Sequence, residues 1–225
     1  MFYPEDLTKK DWFDFYSKQF KTYEFNGSFY KFPETENLLK WHDKTPDDFK
    51  FSVKIPKIIT HIRKLNDCEK EISDFYSVVK NGFKTKLACV LWQFPPKFEF
   101  SEENLDFIIN SVKPGFKNTV EFRNISWWRK DVRDEFRKND ITFCNVSYPS
   151  LPDEIVKTTS TGYVRMHGIP KLFHSEYTDK EIKKLYDEIS GLDFDEIYVY
   201  FNNTATTAGI INALQFRENS GKHHH

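Results

Sequence analysis

The sequence predicts an α/β protein built on parallel strands, a TIM-like (β/α) barrel with seven recognisable strands. Three observations carry that prediction. Strand-like and helix-like patterns alternate along nearly the whole chain, which implies parallel pairing through right-handed crossovers. The Gly-rich first turn usual in a doubly wound, nucleotide-binding sheet does not occur. Polar residues recur at the inward positions and C-terminal ends of strand after strand, where a barrel gathers its functional side chains.

Taken in order, residues 7–20 carry Trp12, Tyr16 and Phe20 at helical spacing, with Thr8 and Asp11 as a weak cap signal. Residues 22–26 form a short strand with Glu24 and Asn26 on one face, and a helix covers 36–44. Residues 49–54 alternate Phe49, Phe51 and Val53 against Ser52 and Lys54. A loop after Pro56 carries Thr60-His61. Ile72, Phe75, Tyr76 and Val79 mark an amphipathic helix. Residues 87–94 are nearly all apolar, as in a buried parallel strand, and end at Gln93 and Pro95-Pro96. Ser101 caps the next helix, whose first turn is acidic. The central strand, 118–123, sets Val120 and Phe122 against Thr119, Glu121 and Arg123, and Trp127-Trp128 follows. A helix over 126–139, a strand over 141–147 with Asn145, and a Pro/Ser/Thr-rich loop over 148–161 come next. Residues 163–168 place Arg165 and His167 on one face and Val164 and Met166 on the other. Thr178 and Glu181 form a capping box. Residues 196–201 are the last strand, ending in Asn202-Asn203-Thr204, and a helix over 205–216 closes the chain.

The 225 residues suffice for one domain, expected over 1–217, with 218–225 as a tail ending in an expression-tag remnant, His223-His224-His225. With 23 Phe, 11 Tyr and 5 Trp, aromatic rings must supply much of the core. The net charge of −1 creates no global field favouring nucleic acid or an anionic membrane. No apolar run approaches the roughly 18 residues of a membrane helix, and no signal peptide occurs, so a cytoplasmic protein without membrane partners is expected. Cys68, Cys89 and Cys144 are odd in number and widely spaced, as reduced core cysteines are. No cofactor is expected, because no P-loop, HExxH or Gly-x-Ser-x-Gly motif is present.

Several runs together resemble a known family. They are Tyr23-Glu24-Phe25-Asn26-Gly27-Ser28-Phe29-Tyr30 with Pro33, residues 49–54, Thr60-His61, Gln93-Phe94-Pro95, Glu121-Phe122-Arg123 with Trp127, Val164-Arg165-Met166-His167-Gly168, and Tyr200-Phe201-Asn202-Asn203. In this order they look like the YecE-like family, domain of unknown function 72, over about residues 2–216. The resemblance implies a TIM barrel with no firmly assigned activity. The family pattern opens with a strand carrying a Gly-x-Ser-Gly-Trp-like motif, which this sequence lacks before Phe2-Tyr3-Pro4. Either the start has been placed too late or the barrel is one strand short. An open edge would invite a homodimer through that edge or leave a destabilised monomer.

The strand ends collect Glu24, Asn26, Lys54, Gln93, Glu121, Arg123, Asn145, Arg165, His167 and Asn202. Three cations against two carboxylates fit a small anionic ligand bearing phosphate or carboxylate. In a metal-independent enzyme, Glu121, His167 and Glu24 are the candidate catalytic groups. Lys54, Arg123 and Arg165 would hold the anion, Asn26, Gln93 and Asn202 would orient it, and Tyr30 and Trp127 would flank it. One alternative is a metal-dependent phosphodiesterase resembling endonuclease IV, with His61, His167, Glu24 and Glu121 as ligands, although their spacing matches no tight metal motif. Another is a non-catalytic nucleic-acid-binding barrel in which Tyr30, Trp41, Trp127 and Trp128 stack on bases.

Overall fold

A computed structural model describes residues 2–221. The expected histidine tail, His223 to His225, lies outside the described residues. Two compact units divide the chain, Met1–Thr119 and Val120–His225.

In the first unit, a 3₁₀ turn at Lys9–Asp11 leads into α1 (Trp12–Gln19). Thr8 does not cap it: its hydroxyl donates to the Asp11 carboxylate instead of accepting from a backbone N–H. Strand β1 (Thr22–Phe25) is followed by one turn of helix, α2 (Gly27–Tyr30), and by α3 (Thr35–Asp43). Strand β2 (Lys50–Lys54) gives way to a π-helical turn, Ile58–Ile62, where a plain loop was expected around His61. Helix α4 (Glu69–Phe83), β3 (Leu87–Gln93) and α5 (Glu102–Ser111) follow, the last capped by Ser101 as expected.

Strands β1, β2 and β3 are parallel neighbours, with Tyr23 opposite Phe51 and Val53 opposite Val90. Aromatic rings fill the space beneath them. Phe51 stacks on Phe83 at 4.3 Å, and Phe13 meets Trp41 edge-on at 4.2 Å. Helix α4 packs hard against α3 because residue 82 is glycine; a Cβ there would lie 2.4 Å from that of Leu38. Lys86, buried, donates to the carbonyls of His42 and Thr45, which closes the C-terminal end of α3 with a cation.

Strand β4 (Lys117–Glu121) carries the chain across the division. In the second unit, the helix expected over 126–139 is two pieces. Asn124 accepts from the Ser126 N–H and holds a separate 3₁₀ turn, Ile125–Trp127, before α6 (Lys130–Lys138). The strand expected over 141–147 is likewise broken at Cys144, into β5 (Ile141–Phe143) and β6 (Asn145–Ser147). Cys144 N–H donates to the Val120 carbonyl, whereas Asn145 and Ser147 register with Val164 and Met166 of β7 (Thr161–Met166). One extended segment thus has β4 on one edge and β7 on the other. This is why, among the described residues, eight strands stand where seven were expected.

Helix α7 (Asp179–Ser190) carries the complete capping box of Thr178 and Glu181. Strand β8 (Glu196–Phe201) pairs in parallel with β7, and α8 (Ala208–Gly221) runs beyond the expected end at 216 and into the expected tail. The loop after β6 stays irregular but is not loose: Asn145 exchanges hydrogen bonds with the Val156 backbone.

The strands form parallel sheets that do not close on themselves. An α/β fold is therefore what these pairings establish, and the expected barrel closure is not seen in them. Cys68, Cys89 and Cys144 are free and buried, as expected.

Candidate functional site

The predicted site residues fall into two groups, one in each unit. Both stand at the C-terminal ends of parallel strands.

In the first unit, Glu24, Lys54 and Gln93 come from the ends of β1, β2 and β3 and are buried. Their hydrogen bonds turn inward. Lys54 Nζ donates to Gln93 Oε1 at 2.8 Å and sits 3.8 Å above the Phe29 ring. Asn26 Nδ2 donates to Glu24 Oε1 at 2.9 Å, and Gln93 Nε2 to the Phe94 carbonyl at 2.8 Å. Lys54, expected to hold an anion, is thus engaged by an amide oxygen and a ring face. Tyr30 is 75% exposed on α2 and is the one ring of the expected flanking pair that faces solvent.

Trp127, the other ring of the expected flanking pair, is turned into the core. It is fully buried and lies flat on Phe122, with ring centroids 4.0 Å apart and planes 5° from parallel. Phe122 alternates with Glu121 and Arg123, so the tryptophan is drawn to the apolar side of that alternation.

The second unit gathers Glu121, Arg123, Arg165, His167 and Asn202 into one cluster. The alternation of β7 explains half of it. Val164 and Met166 pack with Ile182, Leu185 and Ile189 of α7, which leaves Arg165 and His167 on the other face. Glu121 ends β4, and Asn202 follows β8 directly. The ladder continues past the strand ends: His167 N–H donates to the Ser147 carbonyl and Asn202 N–H to that of Met166.

Glu121 is 0% exposed and is gripped from both sides. Arg165 Nη1 donates to its Oε2 at 2.5 Å, and Arg123 Nε is in ion contact with Oε1. Burial would raise the Glu121 pKa, but the Arg123 and Arg165 guanidiniums outweigh it and hold the carboxyl well below the usual range. Arg123 Cζ sits 4.1 Å from the centre of the Tyr148 ring, and Nη2 is directed at His167 Nε2, 2.9 Å away. Glu121 Oε1 is 3.6 Å from the same nitrogen, too far for a hydrogen bond. His167 is 1% exposed. Its pKa is lowered to about 4, first by burial and further by the two guanidiniums, against the opposing pull of Glu121. At neutral pH the cluster therefore holds two cations, one carboxylate and a neutral imidazole.

Sequence reasoning missed the parts that hold this cluster in place. Tyr148 follows β6 directly, and its ring meets His167 edge-on. Phe173 takes a left-handed backbone with φ of 65° and also meets His167 edge-on, at 6.0 Å. Its N–H donates to the His167 carbonyl, and its own carbonyl accepts from Ala205 N–H. Tyr177 Oη accepts from Gly168 N–H and donates to Ser147 Oγ. Asn203 donates to the Ser175 carbonyl and to Asn212, whose side chain also bonds both backbone groups of Tyr177. These bonds tie the loops after β7 and β8 to each other. The repeated aromatic and Asn residues just past strand ends were the available signal.

Among the described residues, no group of three or more His, Cys, Asp or Glu side chains is placed to hold a metal ion. Neither is any helix long and apolar enough to cross a membrane.

Comparison with known proteins agrees with the fold. The crystal structure of a DUF72 family protein from Thermotoga maritima is similar at a TM-score of 0.88 and 29% identity, covering 97% of this chain and 92% of that one. A DUF72 family protein from Enterococcus faecalis, at a TM-score of 0.82 and 22% identity over 92% of each chain, supports the fold alone. UPF0759 protein YunF of Bacillus subtilis is 31% identical over 133 residues, and UPF0759 protein YecE of Escherichia coli K12 is 35% identical over 121. These matches take in 56% and 53% of this chain; it spans about half the length of the curated relatives, 47% and 44% respectively. The family model described as "Protein of unknown function DUF72" matches residues 1–225, and the chain belongs to that family.

Proposed function

We propose that the cluster of Glu121, Arg123, Arg165, His167 and Asn202 binds a small anion, the phosphate or carboxylate of a metabolite. One observation carries this reading. Two guanidiniums face a single carboxylate in a nearly dry site, and the imidazole beside them is neutral. These two cations outnumber the carboxylate within the cluster, and a bound oxyanion would offset that positive charge with charge-assisted hydrogen bonds.

In this reading Glu121 is an anchor for the two arginines. Both of its oxygens are engaged and its pKa is depressed, which makes it a poor base at neutral pH. Should the site turn a substrate over, His167 acts as a neutral hydrogen-bond donor. Titration calorimetry on the full chain with inorganic phosphate, sulfate and acetate tests the binding. Saturable 1:1 binding that weakens at least tenfold in Arg123→Ala is expected. No binding, or binding indifferent to that substitution, overturns it.

The same reading takes the strands as parts of a TIM-like barrel, with the cluster at its C-terminal mouth. The bridging segment of β5 and β6 supports this, since it has neighbours on both edges. An experimental structure in which the β5–β6 segment does not bridge its two neighbours would refute the barrel and leave the anion site standing.

A further inference from the structure

We propose that this site selects its ligand by protonation state: it takes an oxyanion that carries no proton, and rejects the same group once protonated. The inference rests on the anion-binding reading and narrows it to a chemical class, the dianion of a phosphate monoester or an ionised carboxylate.

A guanidinium can donate but cannot accept, so the 2.9 Å contact between Arg123 Nη2 and His167 Nε2 requires the lone pair on Nε2. The ring proton of the neutral imidazole then sits on Nδ1. That nitrogen is buried and has no hydrogen-bond partner among the described residues. Asn202 repeats the pattern. Its Oδ1 accepts from Arg165 Nη2 at 3.5 Å, which leaves the amide Nδ2 as the unpartnered end. Only one acceptor in the cluster lacks an aligned hydrogen bond, Glu121 Oε1, and it is in ion contact with Arg123 Nε. The unpartnered groups of His167 and Asn202 are therefore both donors.

A ligand with free lone pairs satisfies such a set. A ligand oxygen bearing a proton could still accept, but its O–H would find no free acceptor, Glu121 Oε1 being engaged by Arg123, and the ligand would bring less charge to the two guanidiniums. The charged and titratable groups facing His167 are Glu121 and Arg123 from the end of β4, Tyr148 from the loop after β6, and Arg165 from β7. Glu121 stays ionised, and His167 stays neutral down to about pH 4. Between pH 5 and 7.5 the ligand, rather than the site, is what titrates.

Calorimetry on the full chain with methyl phosphate and with sulfate, at pH 7.5 and pH 5.0, tests this. The second ionisation of a phosphate monoester falls near pH 6, so only about a tenth remains dianionic at pH 5.0. Methyl phosphate should bind about tenfold more weakly at the lower pH, while sulfate, a dianion throughout, should stay within about twofold. Equal binding of methyl phosphate at both pH values overturns the selectivity. Parallel weakening of both anions also overturns it, since the protein would then be titrating. Binding of neither anion sinks the underlying anion reading. Asn202→Asp, which replaces a donor by an acceptor at constant shape, should weaken both anions more than tenfold at pH 7.5. No loss in that variant would likewise refute the donor-only site.

Discussion

Glu121 and its two arginines form a buried triad in which each member is tolerable only because of the others. The carboxylate has lost all of its water, and two guanidiniums stand in for it. Such an arrangement is weak evidence of net stabilisation, because desolvation offsets much of the Coulomb attraction. Removing one member is another matter. Glu121→Gln keeps the shape and removes the carboxylate that both guanidiniums share, a defect that costs about 3–5 kcal/mol in comparable buried pairs. Urea unfolding of the variant should show a loss of that size, and added sulfate should restore more stability to the variant than to the wild type. A loss under about 1 kcal/mol would mean that water reaches the triad and that Glu121 is not its keystone.

At the scale of elements, what could be read in the sequence was set by how local its cause is. The capping box of α7, the Ser101 cap and the buried β3 run depend on residues within a few positions of each other, and all appear as expected. The face alternation of β7 was equally legible, and it places Arg165 and His167 together. Breaks within elements were not. The interruption at Cys144 arises because one segment serves partners on two edges, a tertiary demand with no local signature. The displaced start of α6 turns on a single Asn124 side chain. The direction of the Trp127 ring was out of reach for a related reason: it is set by burial on Phe122, not by adjacency to Arg123. The orientation of side chains within the polar group was also beyond reach. Nothing in the sequence distinguishes Lys54, bonded to Gln93, from Arg123, directed at His167.

Across the whole molecule, the buried titratable groups set opposite limits on the pH range of stability. On the acid side the limit comes from the second unit. The folded-state pKa of His167, about 4, lies below its unfolded value of about 6.5, so between these values the unfolded chain binds the extra proton. Stability therefore falls as pH drops from about 6.5 towards 4, by an order-of-magnitude ~3 kcal/mol. Glu121 adds its own loss at lower pH, since its depressed pKa gives stability that is present above the unfolded value and fades as pH falls through the folded one. On the alkaline side the limit comes from buried groups of both units, Tyr177 in the second among them. Burial raises the pKa of both Tyr16 and Tyr76, so above about pH 10 the unfolded chain ionises while the folded chain does not. Burial also raises the Cys68 thiol, so a plot of urea midpoint against pH should be flat between about 6.5 and 9 and decline on both sides. His167→Gln should remove the decline between 6.5 and 4 and leave the alkaline one untouched. If wild type and variant instead track each other through that acid window, His167 is solvated or charged in the folded state. The neutral tautomer on which the anion selectivity rests would then be lost, whereas the alkaline limit, which belongs to other residues, would stand.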